Sequence, residues 1–257
     1  MSSRVEDEHG AILGTRSAVQ VDPKPTTYAW FCLLVIVLIS IGNQWQRYTL
    51  AYAYGYKGSG VEAGDPKFEI TSAYPDLASW YGLLSGLAFT ASYATFGIFG
   101  GVLSDKVNRK VMIGCVCILW STCTLLSGLI DSFALLFVLR FMLGIFESAF
   151  NPCAYGIIAD YFHPSSRTTA NSIFNLGIYL GGALSSIATL LITAIGWRKT
   201  YGLIGLIGMA SGIIGLAFII EPKRGKFDVK KPEQKIVTQG PSTWQKFKSA
   251  SAEIFTN

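Results

Sequence analysis

Hydrophobic positions in this chain come in six long blocks, with the charges gathered between them. The blocks run at about Tyr28–Tyr54, Trp80–Leu103, Val111–Ile130, Phe133–Tyr161, Thr169–Ile195 and Tyr201–Ile220. A helix needs roughly 20 mostly apolar residues to cross a bilayer, and a soluble core does not come in pieces this long. The pattern predicts an all-α integral membrane protein, a bundle of six transmembrane helices. Joints after the second block are short, so neighbouring spans are expected to run antiparallel. The stretch GYKGSGVEAGDPKFEITSAYPD at 55–76 is rich in Gly, Pro and acids and is expected to be solvated. Six spans also divide as three plus three, the inverted repeat of many secondary transporters.

Polar residues inside the blocks fall on faces. In the fourth block, Gly144, Glu147 and Asn151 all lie within roughly 40° of Arg140 on a helical wheel, and Glu147 sits roughly 10 Å along the axis from Arg140. Ionisable groups in a span are costly and normally face a bundle interior or a wet cavity. Pro152 cannot donate to the carbonyl of Ser148, so a kink is expected there. The first block ends in NQWQRYTL, where Ser40, Asn43 and Arg47 share a face with Gln46 beside them. The fifth adds Asn171, Asn175 and Tyr179 at intervals of four. Three such faces, converging, would line a hydrophilic cleft. A buried ion pair locking two helices is the competing reading of Arg140 and Glu147. In the sixth block Gly202, Gly205, Gly208, Gly212 and Gly215 form one stripe, which predicts close helix packing and a scaffold role.

Composition sharpens this picture. Only 14% of the 257 residues are Asp, Glu, Lys or Arg, against about 25% in a soluble domain, and mean hydropathy is +0.41. The net charge of +5 sits in joints and the tail, so it is no nucleic-acid signal. Lys106, Arg109 and Lys110 occupy the joint between blocks two and three, and eight Lys or Arg follow block six. The 55–76 stretch carries four acids against two lysines. By the positive-inside rule both termini are cytosolic; only Trp197-Arg198-Lys199 runs against this. Residues 1–27 are expected to be a disordered cytosolic tail without a cleavable signal. Cys32, Cys115, Cys117, Cys123 and Cys153 have no metal-ligand spacing and are expected to be apolar filler, and no metal or cofactor is expected. With histidine only at 9 and 163, and no phosphate loop or nucleophile motif, no enzyme constellation is present.

The joint GGVLSDKVNRK resembles the signature loop of the major facilitator superfamily, at Gly101, Leu103, Asp105, Lys106, Arg109 and Lys110. Asn108 stands where that loop has glycine, and Asn tolerates a left-handed backbone. The joint ADYFHPSSR, with Asp160 and Arg167, is a second match. NQWQRYT, NRK, RFMLGIFE, EPKRG and the ending TWQKFKSASAEIFTN resemble spinster-like lipid transporters; the organic-anion:cation symporter group is nearly as close in spans four and five.

The resemblance implies the N-terminal half of a twelve-helix transporter, with 28–220 as its first bundle and 221–257 as a cytosolic basic linker toward a second. That second bundle would come from the same gene product or another chain. It implies a small-molecule substrate, surrounding membrane lipid, and cytosolic latches at Asp105, Arg109, Lys110, Asp160 and Arg167. The candidate cleft residues are Asn43, Gln46, Arg47, Arg140, Glu147, Asn151, Asn175 and Tyr179. The spinster-like pattern has an acid, implied in proton handling, where this chain has Gln46. A lysolipid or sphingoid phosphate, an organic anion, and a non-transporting half-bundle all stay open as functions, as do plasma and endolysosomal or vacuolar membranes.

Overall fold

A computed structural model describes residues 24–58 and 63–227. The expected tail up to Pro23 and the expected linker after Phe227 lie outside the described residues. Six helical spans, each long and apolar enough to cross a membrane, run Thr27–Gly55, Leu77–Lys106, Arg109–Ser127, Phe133–Tyr161, Pro164–Ile195 and Trp197–Phe218.

Local chemistry sets where the helices start and break. The Thr26 hydroxyl accepts from the Ala29 amide at the head of α1 (Thr27–Gly55), satisfying one of the orphan donors of a first turn. Asn108 does the same for Val111 at the head of α5 (Arg109–Ser127), with an extended backbone at φ −65°. It is therefore a helix cap, not the left-handed turn residue expected from the sequence. A short helix α2 (Ile70–Ala73) precedes span two. Span two is α3 (Leu77–Gly82), a π-helical turn (Leu83–Ala88) and α4 (Phe89–Lys106). Span four breaks at Ala149 between α6 (Phe133–Ser148) and α7 (Phe150–Tyr161). Pro152 causes this by withdrawing an amide from the ladder one turn back. Span five is α8 (Pro164–Leu184) and α9 (Ile187–Ile195); span six is α10 (Trp197–Phe218).

Packing follows the three-plus-three division. α1 lies along α8 and α10, α6 lies along α4 and α5, and α5 runs the length of α10. Exchanging spans one, two and three with four, five and six maps each of these partnerships onto another or onto itself. A repeat unit of three spans necessarily places its second copy upside down, which is the inverted repeat. Small residues permit the approaches: a Cβ on Gly144 would lie 2.8 Å from the Phe89 carbonyl of span two. Trp120, Phe150 and Phe174 fill the centre edge-on and tilted.

The described part of the 55–76 stretch is a folded cap instead of a solvated loop. Phe68, Ile70, Tyr74 and Leu77 are buried. The Tyr74 hydroxyl donates to the Ile130 carbonyl (2.6 Å) and the Trp197 indole to the Pro66 carbonyl (2.8 Å), tying the cap to the joints before spans four and six. Glu69 Oε1 accepts from the amides of Gly58 and Gly64, and those two amides, Gly64 first, hold its carboxyl below the usual carboxylate range. Gly196, at φ +84°, has no room for a side chain: a Cβ would meet the Lys67 carbonyl at 2.6 Å. Arg198 donates to the Ile130 carbonyl (2.6 Å) and pairs with Asp131 (2.6 Å). Its use as a staple between joints explains a cation that runs against the charge pattern.

Candidate functional site

α1 presents Arg47 to span four, where its Nε and Nη2 reach Glu147 Oε2 at 2.9 and 2.7 Å. The Glu147 side chain is wholly enclosed, whereas the Arg47 side chain keeps 22% of its exposure and so reaches the open face of the bundle. The guanidinium carbon stands 4.8 Å from the Phe89 ring and 5.0 Å from the Tyr93 ring of span two, and both π faces favour the cation. Arg140 lies seven residues before Glu147 but does not pair with it directly. Its Nη2 donates to the main-chain carbonyl of Arg47 at 2.5 Å. Arg47 therefore fills the gap of two turns between them, with its side chain on the acid and its carbonyl on the second arginine. The buried ion pair that ties spans one and four is thus Arg47 with Glu147, and not the Arg140–Glu147 pair read from the sequence.

Polarity continues along span four. Asn151 donates to the Tyr93 hydroxyl (2.9 Å), and one turn on Tyr155 donates to Asn175 Oδ1 of α8 (2.8 Å). Glu147, Asn151 and Tyr155 thus carry one polar ribbon from spans one and two to span five. Sequence reasoning missed Tyr93, Phe89 and Tyr155. Tyr155 extends the interval-of-four series from Glu147 and could have been found; Phe89 and Tyr93 read as ordinary aromatics until the arginine lands on them.

Other candidates are placed elsewhere. Gln46 is buried and donates to the Ser121 hydroxyl of span three (3.1 Å), facing Gly208 of span six and turned away from Arg47. Asn43, by contrast, is buried beside Gln44 and next to the Glu147 carboxyl, at the charge cluster itself. Tyr179 is exposed, and Asn171 lies on α8 two turns before it. Neither joins the ribbon.

At the opposite end from the cap, Arg109 pairs with Asp160 (2.7 Å) and more loosely with Asp105 (3.6 Å). Gly156 leaves space for that guanidinium, since a Cβ there would lie 2.7 Å from its carbon. The segment after span six closes the cluster. Asp160 accepts from the Gly225 amide, Glu221 accepts from the Lys110 amide, and Arg224 donates to the Asp105 and Val107 carbonyls. Arg167 donates to the Ala159 carbonyl (2.8 Å). The Asp105 side chain is 76% exposed, and so largely free for a contact outside this bundle. Lys106 is exposed in the last turn of α4. Gly101 meets nothing nearby; the close approach, to Ala149, is made by Gly100.

The profile of the Major Facilitator Superfamily matches residues 26–255. The chain belongs to that superfamily. Among curated relatives, it is 34% identical over 200 residues to the sphingosine-1-phosphate transporter SPNS2 of Danio rerio, covering 76% of this chain and 38% of that one. It is 28% identical over 208 residues to the probable galactarate/D-glucarate transporter GudP of Bacillus subtilis (strain 168), covering 78% and 43%. It therefore spans less than half the length of these relatives. The crystal structure of a bacterial homolog of the human lysosomal transporter Spinster, inward-facing and unoccupied, superposes with a TM-score of 0.65 at 25% identity, over 89% of this chain and 50% of that one. The six-span, multi-pass membrane fold of the superfamily's first half is thus the fold of this chain, with a spinster-like character.

Proposed function

We propose that this bundle forms one wall of a secondary active or facilitative transporter that moves a small anionic or amphipathic solute by alternating access. A lysolipid or sphingoid phosphate is the first substrate class. The observation that carries this reading is the charge of the cluster. Arg47 and Arg140 stand against the single Glu147, one net positive charge, and Arg47 is the member that reaches the open face. An anionic headgroup there would restore hydrogen bonds that the guanidinium gave up on burial, and charge-assisted bonds are the strong ones. The matches to SPNS2 and GudP, named for a sphingoid phosphate and for sugar acids, support anions of both kinds. Organic-anion symport is accordingly the second reading. Asn151, Tyr155 and Asn175 would meet the rest of the solute, and the exposed Tyr179 would face it from span five. The basic joint at 106–110 and the basic stretch after span six support cytosolic termini, with 28–220 as the bundle and 221–257 as a linker toward a partner bundle supplying the other wall.

Proteoliposomes carrying the native gene product test this. Uptake of labelled sphingosine-1-phosphate or glucarate is expected, with at least a tenfold loss in Arg47→Ala. Accumulation of one and not the other chooses between the two readings, and Arg47→Ala flux equal to wild type sinks the site. If Glu147 is the coupling group, Glu147→Gln flux loses its pH dependence; an unchanged pH profile rules that role out.

A further inference from the structure

Tyr201 lies in the first turns of α10, in the span that the sequence marks as scaffold. It is 3% exposed, and its hydroxyl has no protein partner. It lines a small, narrow cavity between spans one, two, three, four and six, together with Gln46, Thr124, Ser127 and Arg140. Two more of these side chains carry an unpartnered buried polar atom, Oε1 of Gln46 and Nε of Arg140. Three buried polar groups on three spans thus face one space without reaching each other.

Their chemistry is complementary to one molecule. Arg140 Nε–H is a donor only, Gln46 Oε1 an acceptor only, and the Tyr201 hydroxyl serves as either. Thr124 and Ser127 donate their hydroxyl protons to the carbonyls of Trp120 and Cys123, so toward the cavity they present acceptors. A water accepting from Arg140 and donating to Gln46, with a third bond to Tyr201, makes the three hydrogen bonds typical of buried water. The cavity leaves about 10 Å³ for a water's centre, close to the room one water needs. A solute of the size the cleft would take does not fit.

We propose that this cavity is a single-water site, and that its water bridges Arg140 to Gln46 and Tyr201. The water completes the hydrogen bonding of an arginine that no carboxylate contacts directly, and so holds it against the Arg47 carbonyl. Tyr201 and Gln46 are thereby positioning residues for the charge cluster. The site also accounts for Gln46 facing away from the cleft. It does not depend on what, if anything, the bundle transports.

X-ray hydroxyl-radical footprinting of the native protein tests the water directly, because bound water yields radicals beside it. Tyr201 is expected to be oxidised, while Tyr74, equally buried at 3% but bonded to the Ile130 carbonyl, stays protected. Equal protection of both overturns the proposal. Thermal unfolding of Tyr201→Phe, Gln46→Leu and the double variant gives a second reading. One shared water predicts a double-variant loss smaller than the sum of the singles, and strict additivity overturns it. In protein labelled with ¹⁵Nε-arginine, the Arg140 Nε–H resonance is expected to move in Tyr201→Phe, which keeps the ring and removes only the hydroxyl. An unmoved resonance overturns the positioning role. Stabilisation by chloride over gluconate that vanishes in Tyr201→Phe would assign the site to an anion and likewise overturn the water.

Discussion

Arg47 and Glu147 do not share their burial equally, and that asymmetry decides what their loss would do. Glu147 is enclosed on all sides, with one oxygen on Arg47 and the other without a protein partner. Removing Arg47 strands a carboxylate in low dielectric, where breaking a buried pair costs about 3–5 kcal/mol. Neutralising Glu147 instead leaves a guanidinium that is partly exposed and still lies over Phe89 and Tyr93. Arg47→Ala is therefore expected to lower the melting temperature more than Glu147→Gln, as read by scanning fluorimetry in detergent. The opposite order would mean that Glu147 is neutral in the resting protein. The shared face of Arg140, Glu147 and Asn151 was legible in the sequence because helical spacing fixes it. The identity of Glu147's partner was not, because it comes from a span one hundred residues away.

At the scale of helices, the glycine stripe of α10 is not uniform. A Cβ on Gly205 would lie 2.8 Å from the Leu125 amide nitrogen of α5, an atom that cannot move aside, whereas one on Gly202 meets nothing. Gly205→Ala is expected to destabilise by about 1–3 kcal/mol through overpacking. Gly202→Ala should be neutral or slightly stabilising through better helix propensity; equal effects in thermal unfolding would refute the register of α5 on α10. The cap makes a separate prediction. Because the amides of Gly64 and Gly58 lower the Glu69 pKa from its ordinary value of 4.5, its contribution is complete above that value. It is lost as pH falls through the lower, folded-state value. Acidification should thus loosen the cap below about pH 4.5, seen as a change in fluorescence of Trp197, whose indole bonds the Pro66 carbonyl. Glu69→Gln should show the loosened signal already at neutral pH. Sequence composition suggested a solvated loop here because Gly, Pro and acids dominate it. The apolar minority, Phe68, Ile70 and Tyr74, finds the helix ends only in three dimensions.

Across the whole molecule, the polar cluster opposite the cap joins the span two–three joint, the end of span four and the segment after span six. Asp160 is its buried hub and Asp105 its exposed edge. An exposed pair contributes about 0–1 kcal/mol, so Asp105→Lys is expected to fold and melt like wild type. Asp160→Asn, which uncouples Arg109, should melt lower. If Asp105 latches this bundle to a partner, Asp105→Lys stops flux while the melting temperature holds; normal flux would dismiss the latch.

The sequence by itself determined the class and the coarse architecture. Long apolar blocks admit only helices in a membrane, because every backbone group must be satisfied within its own segment. Periodicity then fixed which polar side chains share a face, and the signature joint marked the superfamily. Tertiary structure alone decided direction and partnership. Gln46 and Arg47 are neighbours in sequence, but about 100° of helix turn sends one to spans three and six and the other to spans two and four. Tyr201 sits in the helix that the sequence marks as a scaffold, and only packing brought an arginine's cavity to it. Such outcomes follow from which helices touch and at what register, and that is settled by the fit of side chains between elements far apart in the chain.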